Sequence, residues 1–174
     1  MPSTTATRTP AATGTTAGTT SLAPLPTQGP TVYNFVAELK STNENPPISD
    51  AEANCTGTAK IALAVLIDAS YYNVTSGKAS FDVTLSGCPA TTQLVLAHIH
   101  AGKASENGPV KVDTGLTAAQ PIQFSNTATI KKADITVEPA VADDLIQNPG
   151  NYYFNVHSVA HGGGVVRGQL VATR

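Results

Sequence analysis

The sequence predicts an all-β domain: a Greek-key β-sandwich or barrel of about seven to eight mainly antiparallel strands with one short helix. Three observations carry this. Apolar and polar residues alternate in several runs, as where Ala79, Phe81, Val83 and Leu85 interleave with Ser80, Asp82, Thr84 and Ser86, and a period of two marks a strand with one buried face. Breaks rich in Gly, Pro and Asn separate these runs at short intervals, as turns do in a sandwich. Only 13% of residues are charged and tryptophan is absent, whereas a helical domain would carry more Leu, Glu and Lys.

The chain has 174 residues, which suits one ordinary domain. Residues 1–30 hold almost nothing large and apolar apart from Leu22 and Leu25. Such a segment cannot offset its ordering entropy by burial, so it is expected to be a disordered Thr/Ala/Pro-rich tether ahead of a domain over residues 31–174. From Val32, alternating Tyr33, Phe35, Ala37 and Leu39 predict a first strand that stops at the Pro46-Pro47 loop. A second strand is expected over Gly57–Ala69, with Ala59, Ile61, Leu63, Val65 and Ile67 on one face and a turn at Asn73–Gly77. The run from Ala79 follows and is broken at Gly87-Cys88-Pro89.

Leu94 to His100 reads as a strand apolar on both faces, which predicts a central position in the sheet. Short strands are expected over Val110–Asp113 and Phe124–Ile130. Pro139–Gln147 is the one helix, with proline in its first turn and Asn148-Pro149-Gly150 as its stop. Asn151–Ser158 is the next strand, and Gly162-Gly163-Gly164 turns the chain into a last strand over Val165–Ala172.

A net charge of −2 offers no basic patch for nucleic acid or anionic lipid, so neither partner is expected. No apolar run approaches the roughly 18 to 20 residues that span a bilayer. No basic region followed by an apolar one opens the chain, so the expectation is an exported chain whose leader has been removed, with a cytosolic origin the other reading. Cys55 and Cys88 are the two cysteines, and a disulfide between them would stabilise the fold by about 3 to 4 kcal/mol. Two free buried thiols, or a thiolate joining histidines in a blue-copper arrangement, are the alternatives. The last is disfavoured because neither cysteine neighbours a histidine and Met1, the single methionine, is badly placed as an axial ligand. Asn54-Cys55-Thr56 and Asn73-Val74-Thr75 match the glycosylation sequon, which matters only in a eukaryotic source.

All four histidines fall in two short segments. His98 and His100 sit two apart on one strand, so their side chains share a face with Cα atoms about 6.5 to 7 Å apart, within reach of one ion. His157 and His161 lie in the second segment, about 13 Å apart if the strand stays extended, so His161 joins a common site only if the three glycines bend the chain. Tyr153 and Asn155 share the face of His157 and are placed to orient an imidazole or line an entrance. Three neutral imidazoles with an open position suit copper first and zinc second; calcium and magnesium want oxygen ligands.

Several ordered motifs carry a family resemblance: Glu44-Asn45-Pro46-Pro47, Ala97-His98-Ile99-His100-Ala101-Gly102, Gly108-Pro109-Val110, Tyr153-Phe154-Asn155-Val156-His157-Ser158 and Arg167-Gly168-Gln169-Leu170. From Tyr33 to the C-terminus the chain resembles the CHRD domain, the module named after chordin and found alone in bacterial exported proteins. The resemblance implies an exported β domain with His98, His100 and His157 as recurring histidines and Glu44 and Arg167 as recurring charges. His161 departs from the pattern, and Val165 stands where an acidic residue is usual, so His161 as a fourth ligand is an expectation peculiar to this chain. Glu44 is expected to accept a hydrogen bond from a ligand histidine or to pair with Arg167, and Arg167 to fix a loop carbonyl or carboxylate.

The functional expectation is a non-catalytic module that binds copper outside the cytoplasm for storage, delivery or buffering, with another extracytoplasmic protein as a possible partner. A redox enzyme is the second reading, since a Greek-key sandwich with His-x-His and a late arginine is similar to copper-zinc superoxide dismutase; four histidines are too few for that two-metal set. A metal-free adhesion or ligand-sequestering module, by analogy with chordin, is the third. No Ser-His-Asp arrangement or nucleophile elbow appears, which disfavours a hydrolase. Oligomeric state is left open.

Overall fold

The computed structural model describes residues 29–173; the expected tether over residues 1–30 lies almost wholly outside them. Strands β1 (Thr31–Lys40), β2 (Thr56–Ile67), β3 (Val74–Ser86), β4 (Gln93–Ala101), β5 (Val110–Asp113), β6 (Ile122–Gln123), β7 (Thr127–Val137), β8 (Tyr152–Ser158), β9 (Val166–Gln169) and β10 (Val171–Thr173) form one antiparallel sheet, and α1 (Pro139–Gln147) is its one α-helix among the described residues. The order is β5-β4-β8-β9-β1-β2-β3-β7, with β10 against β1 and β6 against β4. The sheet curls on itself: Phe81 of β3 and Phe154 of β8, four strands apart along that order, meet across the interior with ring centroids 5.8 Å apart.

The fold is the expected all-β barrel-like sheet, and the strand count exceeds the expected one because short segments pair separately. β6 has two residues, and the expected single last strand is split into β9 and β10 at buried Leu170, whose N–H leaves the strand path to donate to the Tyr152 carbonyl at 2.9 Å. Expected at Phe124–Ile130, the seventh strand instead runs from Thr127 to Val137. Phe124 is a core anchor ahead of it, and a register shift against Ala79 and Phe81, with Asp134 at φ 57°, carries pairing past Ile130. Nor is the turn at Asn73–Gly77. It lies at Asp68–Asn73, where the Asp68 carboxylate accepts the N–H groups of Ser70 and Tyr71 at 2.8 and 2.9 Å, and Gly77 belongs to β3.

The helix has its predicted bounds, buries Ala142 and Leu145, and is tied to β8 by the Tyr152 hydroxyl donating to the Asp144 carboxylate. Cys55 and Cys88 form a disulfide. No helix among the described residues is long and apolar enough to cross a membrane.

The site is positioned by a second buried layer. On β4 and β8, Ala97, Ile99, Phe154 and Val156 face the barrel interior, and the alternate residues face outward. Yet every residue of β8 is buried, because the loop after β1, the loop between β4 and β5 and the turn after β8 fold over that outer face. This cover, more than a central place in the sheet, makes the histidine strands look apolar on both sides, since β4 is only one strand in from the β5 end.

Candidate metal centre

Cross-strand register assembles the histidines. Leu96 pairs with His157, His98 with Asn155 and His100 with Tyr153, and residues opposite each other in an antiparallel pair project from the same face. His98, His100 and His157 therefore converge. Their ring centroids lie 5.5, 5.0 and 5.9 Å apart, and each offers one ligand nitrogen within 4.8 Å of the others. All are buried, at 7%, 8% and 5% exposure.

The hydrogen bonds fix which nitrogen is available. His100 Nδ1 lies 2.9 Å from the Gly108 carbonyl and His157 Nδ1 lies 2.9 Å from the Gly162 carbonyl. A carbonyl only accepts, so both Nδ1 atoms carry the proton and both Nε2 atoms present a lone pair. The Nε2 of His157 accepts a hydrogen bond from His98 Nδ1–H at 3.1 Å. The Nε2 of His100 has no partner at all. Burial lowers the pKa of His98 and His100 and takes that of His157 down to about 4, although its Gly162 bond works the other way. The three rings are thus neutral near pH 7, the form that ligates a metal.

Around the triad, Tyr153 stacks on His100 with centroids 5.0 Å apart and planes 10° from parallel, and its hydroxyl accepts the Gly108 N–H at 3.2 Å. The Arg167 guanidinium lies 4.9 Å from the Tyr153 ring centre. Arg167 donates Nε–H to the Asn43 carbonyl at 2.6 Å and Nη1–H to the Glu106 carbonyl and the Asn107 side chain at 2.9 and 3.0 Å. It ties two of the covering loops to β9, the loop-fixing role expected of it. Glu44 pairs with Arg167 at 3.9 Å and makes no hydrogen bond to a described histidine; burial pushes its carboxyl up to about 7 against the pull of that guanidinium. Asn155 does not bond a ligand histidine either: its Nδ2 reaches only the Gly163 carbonyl, at 3.5 Å, and its Oδ1 is buried without a partner.

His161 is not brought to the triad. Its Nε2 sits 3.0 Å from Asp50 Oδ2 and 3.7 Å from Glu52 Oε2. The glycine turn does bend the chain, through Gly164 N–H donating to the His161 carbonyl at 3.1 Å, but the bend delivers the Gly162 carbonyl to His157 instead of the His161 ring.

Other contributors have no motif. Asp113, opposite His98 in the β4–β5 register, lies 3.8 Å from His98 Nε2; the β5 segment is legible in sequence, but its register is not. The Gly108 and Gly162 carbonyls are backbone groups, for which the only sequence signal is glycine itself. The donor set fits a borderline-to-soft transition metal: three neutral imidazoles on rigid strands, with one lone pair orphaned in the interior.

No curated protein and no solved structure is significantly similar to this chain. The CHRD domain family model matches residues 35–170. That match spans most of the chain and takes in the histidine triad, Glu44 and Arg167, and the chain belongs to the CHRD domain family.

Proposed function

We propose that this CHRD domain is a non-catalytic, extracytoplasmic metal-binding module whose His98, His100 and His157 hold one copper ion, with zinc the alternative occupant. The observation that carries this is the convergence of three neutral imidazoles whose ligand nitrogens lie within 4.8 Å of one another. The Irving–Williams order favours copper at such a nitrogen site. His100 and His157 would bind through Nε2, their Nδ1–H groups staying on the Gly108 and Gly162 carbonyls. His98 would release its bond to His157, bind through Nδ1 and carry its proton on Nε2, toward Asp113. A bound copper ion would supply an exchangeable cation for storage, delivery or buffering, and delivery implies another extracytoplasmic protein as recipient. The Cys55–Cys88 disulfide supports an oxidising compartment.

A metal-free interaction module finds support in the same carbonyl bonds, since His100 and His157 each satisfy one nitrogen through them. It leaves the buried Nε2 of His100 unexplained. The two readings separate on copper titration of the metal-free chain followed by elemental analysis. His98→Ala and His157→Ala are each expected to abolish most stoichiometric uptake; uptake that survives both changes would sink the proposal.

A further inference from the structure

Unsatisfied polar atoms are concentrated at one place. Among the described residues, the buried side-chain atoms without a hydrogen-bond partner are His100 Nε2, Glu44 Oε1, Asn155 Oδ1, Arg167 Nη2 and Thr92 Oγ1, and all but the last belong to the outer face of β4, β8 and β9 or to the loop over it. A bound cation accounts for His100. It leaves the Arg167 Nη2 donor, which a cation cannot satisfy, and two oxygen acceptors, Glu44 and Asn155, buried to 6% and 2% exposure; unpartnered buried oxygens are costly enough to require a reason.

Both oxygens border Gly164. A Cβ there would lie 2.5 Å from Asn155 Oδ1 and 2.8 Å from Glu44 Oε1, and its φ of 132° belongs to glycine. On the solvent side, Gly164 lines a cleft of about 190 Å³ together with Glu44, Ile48, Asn107, His161 and Gly163. Gly164 thus adjoins both the cleft and Asn155, and Asn155 stands opposite His98 in the strand register. His161, 21% exposed in its side chain, lies beside the more exposed Asp50 carboxylate. Glu44 is the one acid group in the lining, and the Asp50 carboxylate lies behind the His161 ring; carboxylates so placed raise the local concentration of cations.

We propose that the metal cation reaches the three histidines through this cleft, with His161 and Asp50 at its mouth and the free oxygens of Glu44 and Asn155 at its inner wall as transfer ligands. This rests on the metal-binding reading above. The step is ligand exchange without change of oxidation state: each oxygen or imidazole donor is displaced by the next, and the histidine triad keeps the ion. The route gives His161, remote from the triad, a role in this chain, and it gives the two orphaned oxygens an intermittent partner.

The test is stopped-flow uptake of Cu(II), supplied as its glycinate complex, by the metal-free full chain, with release measured by chelator challenge. Glu44→Gln and His161→Ala are each expected to slow uptake about tenfold and release by a similar factor, with stoichiometry kept and affinity little moved. Asp82→Asn, which alters an exposed carboxylate on β3, should leave uptake at the wild-type rate. Unchanged uptake in both cleft variants overturns the proposal, as does an equal slowdown in Asp82→Asn. Affinity lost through faster release alone also overturns it, because that marks resident ligands. Should Glu44→Gln fail to fold, His161→Ala at the exposed mouth decides alone. Wild-type chain that takes up no copper removes the metal-binding reading itself, an outcome distinct from copper bound at unaltered rates.

Discussion

The two faces of the β4–β8 pair share one backbone and nearly the same burial, yet they are built on opposite rules. Inward, Ala97, Ile99, Phe154 and Val156 pack into a continuous apolar core. Outward, His98, His100, Asn155 and His157 lie under loops, with two polar atoms left unpartnered. The inner face holds the barrel together, because apolar area removed from water stabilises it at no polar cost. The outer face instead gathers three imidazoles under cover and leaves polar atoms unmatched. Burial alone therefore does not tell core from site; the count of unmatched donors and acceptors does.

The largest expected effect breaks the inner face. Phe154→Ala removes a fully buried ring that meets Phe81, and chemical denaturation should show a loss of about 3 to 5 kcal/mol. A loss of well under 1 kcal/mol would deny the inner face its structural role.

The next effect sharpens the contrast through pH. In the metal-free fold the pKa of His157 falls from 6.5 to about 4. Its contribution is complete above 6.5 and is lost as pH drops from there toward 4, in total about 3 kcal/mol at roughly 1.4 kcal/mol per pH unit. Glu44 runs the other way: with its pKa raised from 4.5 to about 7, its contribution is complete below 4.5 and is lost as pH rises through 7. The two slopes oppose each other across the same range. Glu44→Gln should therefore uncover the acid loss, and its thermal stability should fall more steeply than wild type as pH drops from 7 to 4.5. Parallel pH profiles for the two proteins would contradict this assignment.

The smallest effect is on stability and the clearest on function. His100→Leu exchanges a ring with one bonded and one orphaned nitrogen for an apolar side chain, so metal-free stability should shift by no more than about 1 kcal/mol while copper stoichiometry collapses. A destabilisation as large as that of Phe154→Ala would make His100 a core residue first.

How much of this was legible in the sequence follows from what each element depends on. Helix α1 and strand β5 have their predicted bounds because proline, glycine and asparagine mark their ends locally. The β7 strand was misread because Lys131, Lys132 and the bulge at Asp134 interrupt its alternation. His98 and His100 share a face by strand geometry alone, and so were readable. Bringing His157 to them needs the offset that pairs it with Leu96, a tertiary property with no local mark. His161 went astray because the direction of the glycine turn is decided by backbone hydrogen bonds, which side-chain identity does not encode.

Two of the three imidazoles take their orientation from main-chain oxygens, and these differ in how freely evolution can edit them. At position 108 any side chain would collide with the Ala101 carbonyl, at 1.5 Å from the first added carbon, whereas position 162 opens onto empty space. The oxygen that aims His100 is thus locked to one residue type, and the one that aims His157 tolerates many. The rim beside His157 is therefore free to diverge in side-chain character while the opposite rim stays fixed.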